Sequence, residues 1–78
     1  MTIDRLREVH LARPFRAFTL RMADGTKVRV GHPESVAYSP SGRTIIYVAP
    51  DDSTHYIDLL LVARIEVANG TTARKGRR

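Results

Sequence analysis

The sequence predicts a mostly β, α+β domain: one N-terminal helix followed by a small, strongly bent antiparallel sheet of five to six strands. Three observations predict it. Apolar residues recur at helical spacing only near the start, as Ile3, Leu6, Val9 and His10, and from Phe18 onward the period drops to two. Turn-forming residues then punctuate the chain, leaving strand connections of two to five residues. With 78 residues there is room for a single domain.

Thr2 suits an N-cap, and Asp4 falls in the first turn, where the helix dipole favours a carboxylate. Arg5, Arg7 and Glu8 point away from the apolar stripe. Pro14 disfavours helical geometry at Arg13, so the helix should stop by about Ala12. A helix that short needs something to pack on.

Phe18, Leu20 and Met22 alternate with Thr19 and Arg21, a half-buried strand. Asp24-Gly25 follows, a pair suited to a type I′ hairpin turn, and beyond it Lys27 and Arg29 alternate with Val28 and Val30. Pro33 interrupts the pattern as a bend, a bulge or a strand end. Ser35 to Tyr38 reads as a short strand, and Ser39-Pro-Ser-Gly42 as a turn. Thr44 to Ala49 is the most β-prone run and is expected to be a central strand. Pro50-Asp-Asp-Ser53 turns it into Thr54 to Ile57. Asp58 suits a cap on one short helical turn in Leu59-Leu-Leu-Val62, although that run also fits a strand. Arg64 to Val67 is a final strand, and Asn69-Gly70 ends the fold.

This layout points to an SH3-type or Sm-like barrel or half-barrel capped by the helix, with an open sheet as the alternative. Either places Phe18, Leu20, Val28, Val30, Val36, Ile45 or Ile46, Val48, Ile57, Leu60 and Ile65 in the core. A domain this small gains from further burial, so self-association through an edge strand is expected.

Composition excludes several classes. There is no cysteine, hence no disulfide, thiolate metal site or cysteine nucleophile. No apolar run approaches the roughly 20 residues of a membrane-spanning helix, and the start lacks a signal-peptide layout, so a cytoplasmic location is expected. The formal charge is +5, but the last eight residues hold four of the 13 basic residues and none of the eight acidic ones. Residues 1–70, the expected folded domain, are therefore near neutral at +1. Residues 71–78 read as a disordered basic tail, with Arg74, Lys75, Arg77 and Arg78 available to phosphates.

Two resemblances bear on this chain. The strings Ala12-Arg-Pro-Phe-Arg16, Ala23-Asp-Gly25, His32-Pro33, Ser39-Pro-Ser-Gly42 and Ile57-Asp-Leu-Leu-Leu-Val62 resemble a group of short uncharacterised bacterial proteins, over about residues 3 to 67. That resemblance implies no activity. More loosely, the helix, then Phe18 to Gly25 as a strand ending in a polar-Gly turn, then Tyr56 to Val67 as strand, turn and closing strand, is similar to the Sm-like proteins, which include the bacterial Hfq proteins. Membership would imply a ring-shaped homo-oligomer that binds RNA. The family's Arg-Gly and Lys-His RNA-contact motifs have no counterpart here, so no site residue is carried across.

Candidate chemistry is sparse. A metal site would need His10, His32 and His55 to converge with Asp51, Asp52 or Asp58, and none of the histidines forms a spaced pair. Asp51-Asp52-Ser53 lacks the further oxygen ligands of a calcium loop. No Ser-His-acid arrangement and no Gly-rich phosphate loop is legible, so neither an enzyme nor a cofactor is expected. Within the domain, Arg13, Arg16, Arg21, Lys27 and Arg29 are the basic cluster, with Arg21, Lys27 and Arg29 expected on one hairpin face. Beside Phe15, these could meet an acidic protein partner or stack on RNA bases, or form a solvated face. The sequence therefore points to a non-catalytic interaction or assembly module that self-associates, with Sm-like RNA binding as the alternative.

Overall fold

The computed structural model describes residues 1–68. Helix α1 spans Ile3–His10, capped where the Arg5 N–H donates to Thr2 Oγ1 at 3.3 Å. Six strands follow: β1 Phe18–Met22, β2 Lys27–Val30, β3 Val36–Tyr38, β4 Thr44–Val48, β5 Thr54–Asp58 and β6 Val62–Val67. Two short 3₁₀ turns, Pro33–Ser35 and Leu59–Leu61, precede β3 and β6. The mostly β, α+β architecture stands. Among the described residues no helix is long and apolar enough to cross a membrane.

The expected barrel does not close. The strands form two three-stranded antiparallel sheets, ordered β2-β1-β6 and β3-β4-β5. Pairing runs β1 with β2, β3 with β4, β4 with β5 and β6 back onto β1. It fails between β2 and β3 and between β5 and β6, where the two 3₁₀ turns lie. Pro33 has no N–H to give to a ladder, so β2 cannot run on into β3. At the second break Asp58 Oδ1 accepts from the Leu60 N–H at 2.9 Å, which caps the turn and winds the chain out of β5.

The hairpin at Asp24-Gly25 forms with a different turn from the expected type I′. Only Gly25 has positive φ, +91°. The Met22 N–H donates to Thr26 O at 2.8 Å and the Gly25 N–H to Met22 O at 3.0 Å, a three-residue loop whose last residue is left-handed. The β4–β5 connection repeats this arrangement, with Ala49 N–H on Ser53 O and Asp52 in the left-handed position.

The core lies between the sheets: Phe18, Leu20, Val30 and Val62 from one, Val36, Ile45 and Ile57 from the other, with Leu6 and Leu59. Val28 and Ile65 are half-buried against it. Two expected core residues face solvent. Ile45 points inward, so strand alternation sends Val48 to the opposite face, and it is exposed. In the second 3₁₀ turn consecutive side chains diverge by about a third of a turn. Leu59 is thus buried at 8% exposure while Leu60 stands out at 73%.

Helix α1 is tied to β3 through His10, which is buried. Its Nε2 lies 2.6 Å from Pro33 O, and a carbonyl can only accept, so Nε2 carries a proton. In the neutral ring Nδ1 then accepts from the Tyr38 hydroxyl at 2.7 Å. The Arg7 guanidinium sits 5.5 Å above the Tyr38 ring centre.

Three predictions arise from the fold. Burial pushes the Tyr38 hydroxyl up to about 12, from an ordinary 10. Its neutral form favours the folded state, so that contribution is complete below pH 10 and is lost as pH rises from 10 towards 12. Thermal unfolding across that range should show a falling Tm, with a shallower fall in Tyr38→Phe. Separately, Gly25→Ala should cost about 1 kcal/mol from backbone strain alone, since a Cβ there meets nothing within 4 Å. Gly42→Ala should cost more in denaturant titration, because at φ +75° its Cβ also comes within 3.3 Å of Ile3 Cγ1.

Candidate functional site

Register places the basic residues. Arg21 opposes Lys27 on β2 and Arg64 on β6, while Thr19 opposes Arg29 and Glu66. Directly opposed residues in an antiparallel pair share a face, and so do residues two apart on one strand. Arg21, Lys27, Arg29 and Arg64 therefore share the outer face of the first sheet with one carboxylate, Glu66. Arg64, which completes the row with Lys27 and Arg21, was not among the candidates from sequence, although it has the same strand phase as Glu66.

Glu66 is engaged by two of these cations. Arg21 Nε donates to Glu66 Oε1 at 2.9 Å and Arg64 pairs with Glu66 Oε2 at 2.6 Å. The Arg21 hydrogen bond is the main reason its carboxyl titrates below the usual range, with Arg64 adding to the effect. Arg16 lies elsewhere, lining a shallow groove with Glu8, Val9, Ala12 and Val67. Arg13 is exposed in the connection before β1. Arg74, Lys75, Arg77 and Arg78 lie outside the described residues.

The histidines are spread over the fold. His10 is structural, His32 is exposed ahead of the first 3₁₀ turn, and His55 lies on β5. Among the described residues no three histidine or acidic side chains gather where they could hold a metal ion. One grouping was not legible from sequence: Asp51, Ser53 and His55 are linked in a chain. Ser53 Oγ donates to Asp51 Oδ1 at 2.6 Å and lies 2.9 Å from His55 Nε2. The order of the links decides its chemistry. The serine proton goes to the carboxylate, so the imidazole N–H donates to the hydroxyl and does not act as its base. The arrangement fixes the β4–β5 turn, and the Ser53 hydrogen bonds hold the Asp51 carboxyl below its ordinary value.

Two clefts flank that turn, and the larger, of about 970 Å³, is lined by Arg29, His32, Glu34, Tyr47 and Val48. The other, of about 520 Å³, opens between the β1–β2 hairpin and β5, with Met22, Val28, Ile57 and Leu61 as its apolar lining and Asp24 and His55 at its polar margin. Along this side Tyr56 is 76% exposed, and Leu60 and Leu61 are 73% and 53% exposed. Tyr56 and Ile57 point to opposite faces of β5 by strand alternation, so the strand buries one and offers the other to solvent. That alternation was legible in the sequence; the outward turn of Leu60 was not.

No family model, curated protein or solved structure matches this chain. The surfaces above therefore stand on their own geometry.

The basic row yields a prediction. Without Glu66, Lys27, Arg21 and Arg64 would face one another across three strands as unrelieved like charges. Glu66→Gln should lower Tm in low salt, with the difference from wild type vanishing near 1 M salt, where screening acts within about 3 Å. Because the Glu66 carboxyl is depressed, its contribution is present above its unfolded value of 4.5 and fades as pH falls below it. A salt-independent Tm difference would contradict this electrostatic account.

Proposed function

We propose that this protein is a non-catalytic interaction and assembly module that self-associates through the apolar strip of β5 and the turn after it. One observation carries the reading: Tyr56 on β5 and Leu60 and Leu61 in the turn after it are all exposed, and Tyr56 and Leu61 line the same cleft. Isolated exposed leucines are ordinary on protein surfaces. A strip holding an aromatic and two leucines, rimmed by polar residues such as Asp24, Thr54 and His55, has the composition of an interface core. The near-neutral charge of residues 1–70 offers little repulsion against association.

A second reading, RNA binding of the Sm-like kind, is favoured by the four cations against one carboxylate on the outer face of the first sheet. Two of those cations are already engaged by Glu66, which lowers the charge free to meet phosphate. An acidic protein partner would use the same face. The two readings differ in their salt dependence. Phosphate binding weakens steeply as salt rises, whereas apolar burial does not.

Light scattering during size exclusion separates them. The expected result is a mass above the monomer that persists from low to high salt, with no excess nucleic-acid absorbance. A six- or seven-chain particle carrying nucleic acid, lost at high salt, would overturn the assembly-module reading in favour of RNA binding.

A further inference from the structure

We propose that the partner on this strip is a second copy of the chain, docked by antiparallel pairing of β5 with β5 about a two-fold axis at Tyr56. The inference rests on the self-association reading above and specifies its interface.

The hydrogen-bond phase of the second sheet shows which backbone groups are on offer. The Ala49 N–H donates to Ser53 O, so the closely bonded pairs of β4 and β5 are those of His55 with Tyr47 and Ile57 with Ile45. The N–H and C=O groups of Thr54, Tyr56 and Asp58 must then point away from β4. No other described strand pairs on that side.

The sheets have four edges, and β5 differs from the other three. Outward groups on β2 belong to Lys27 and Arg29, both charged, and the Arg29 carbonyl already accepts from the Tyr47 hydroxyl at 2.8 Å. β3 is three residues long and lies between Pro33 and Pro40. β6 carries Arg64 and Glu66, and its register with β1 is broken by an irregularity at Arg21/Met22. Charges, prolines, shortness and bulges are the devices that keep sheet edges from pairing. β5 has none of these apart from Asp58, whose carboxylate is committed to the Leu60 N–H, and its register with β4 is unbroken from Thr54 to Asp58.

The strand is also self-complementary about Tyr56; axes at His55 or Ile57 keep the same hydrogen-bond phase but set Tyr56 against Thr54 or Asp58 in place of itself. A two-fold axis at Tyr56 sets Tyr56 against Tyr56 of the second copy, Thr54 against Asp58, and Asp58 against Thr54. Every outward-pointing residue then finds a partner and no like charges meet. Moving the axis to Asp58 would oppose two carboxylates. Moving it to Thr54 would run the partner strand into the turn at Asp52, whose φ is +75°. The Tyr56 register joins the two β3-β4-β5 sheets into one continuous sheet and brings the exposed aromatic to the axis, where it loses most water.

Single-cysteine cross-linking tests this directly, because the chain has no cysteine of its own. In the proposed register the two position-56 Cα atoms are about 5.5 Å apart, within disulfide reach. Tyr56→Cys should oxidise to a covalent dimer, and Leu11→Cys, also well exposed but at the end of the helix, should not. Tyr56→Lys should weaken the dimer by at least about tenfold while leaving the circular dichroism of the monomer unchanged, since it opposes two ammonium groups. A wild-type dimer that survives Tyr56→Lys, or that fails to cross-link through Tyr56→Cys, overturns the β5 interface and leaves only self-association through another surface standing. Wild type that remains monomeric at all concentrations overturns both.

Discussion

Pro33 is the constraint on which the rest of this structure depends. A residue with no N–H cannot extend a ladder, so the chain leaves the first sheet at Val30, makes one 3₁₀ turn and starts a second sheet at Val36. The carbonyl of the same proline accepts the His10 Nε2 proton, and the other ring nitrogen meets Tyr38. One residue therefore both breaks the ring of strands and supplies the acceptor that holds the helix across the break. A buried imidazole with both nitrogens satisfied is tolerable in such a small core, whereas one left unpaired would cost about 1–3 kcal/mol.

Splitting the ring has a consequence for function. A closed barrel has no edges, but two three-stranded sheets have four. On β2, β3 and β6 the chain carries features that discourage pairing, and those same features account for much of its visible charge. The row of Lys27, Arg21 and Arg64, the two arginines bridged by Glu66, is the outer surface of a guarded sheet before it is anything else. The apolar strip at Tyr56, Leu60 and Leu61 has no comparable structural reason to be exposed. That contrast, more than the net charge of +5, sets the direction of the functional proposal.

Most of the elements were legible because their causes are local. Thr2 as a cap, the shift in period after the helix, the alternation in Phe18–Met22 and the cap at Asp58 each depend on neighbours a few residues away. The hairpin at Asp24-Gly25 was legible as a reversal, but its turn type was not, since loop length is set by how the flanking strands register. For the candidate site, the common face of Arg21, Lys27 and Arg29 could be read from strand phase. The contribution of Arg64 and Glu66 could not, because it requires knowing that β6 returns to pair with β1.

By itself the sequence determined one helix, a series of short antiparallel strands and the places where they stop, because period, caps and proline act over a few bonds. Tertiary structure alone decided that β6 returns to pair with β1, that His10 is buried between Pro33 and Tyr38, and that Leu59 rather than Leu60 enters the core. Each of those outcomes depends on contacts between residues far apart in the chain, such as the 28 positions separating His10 from Tyr38. Four apolar residues in a row, Leu59 to Val62, carry no periodicity to say which of them faces inward. Only the packing of two sheets around a filled core makes that choice.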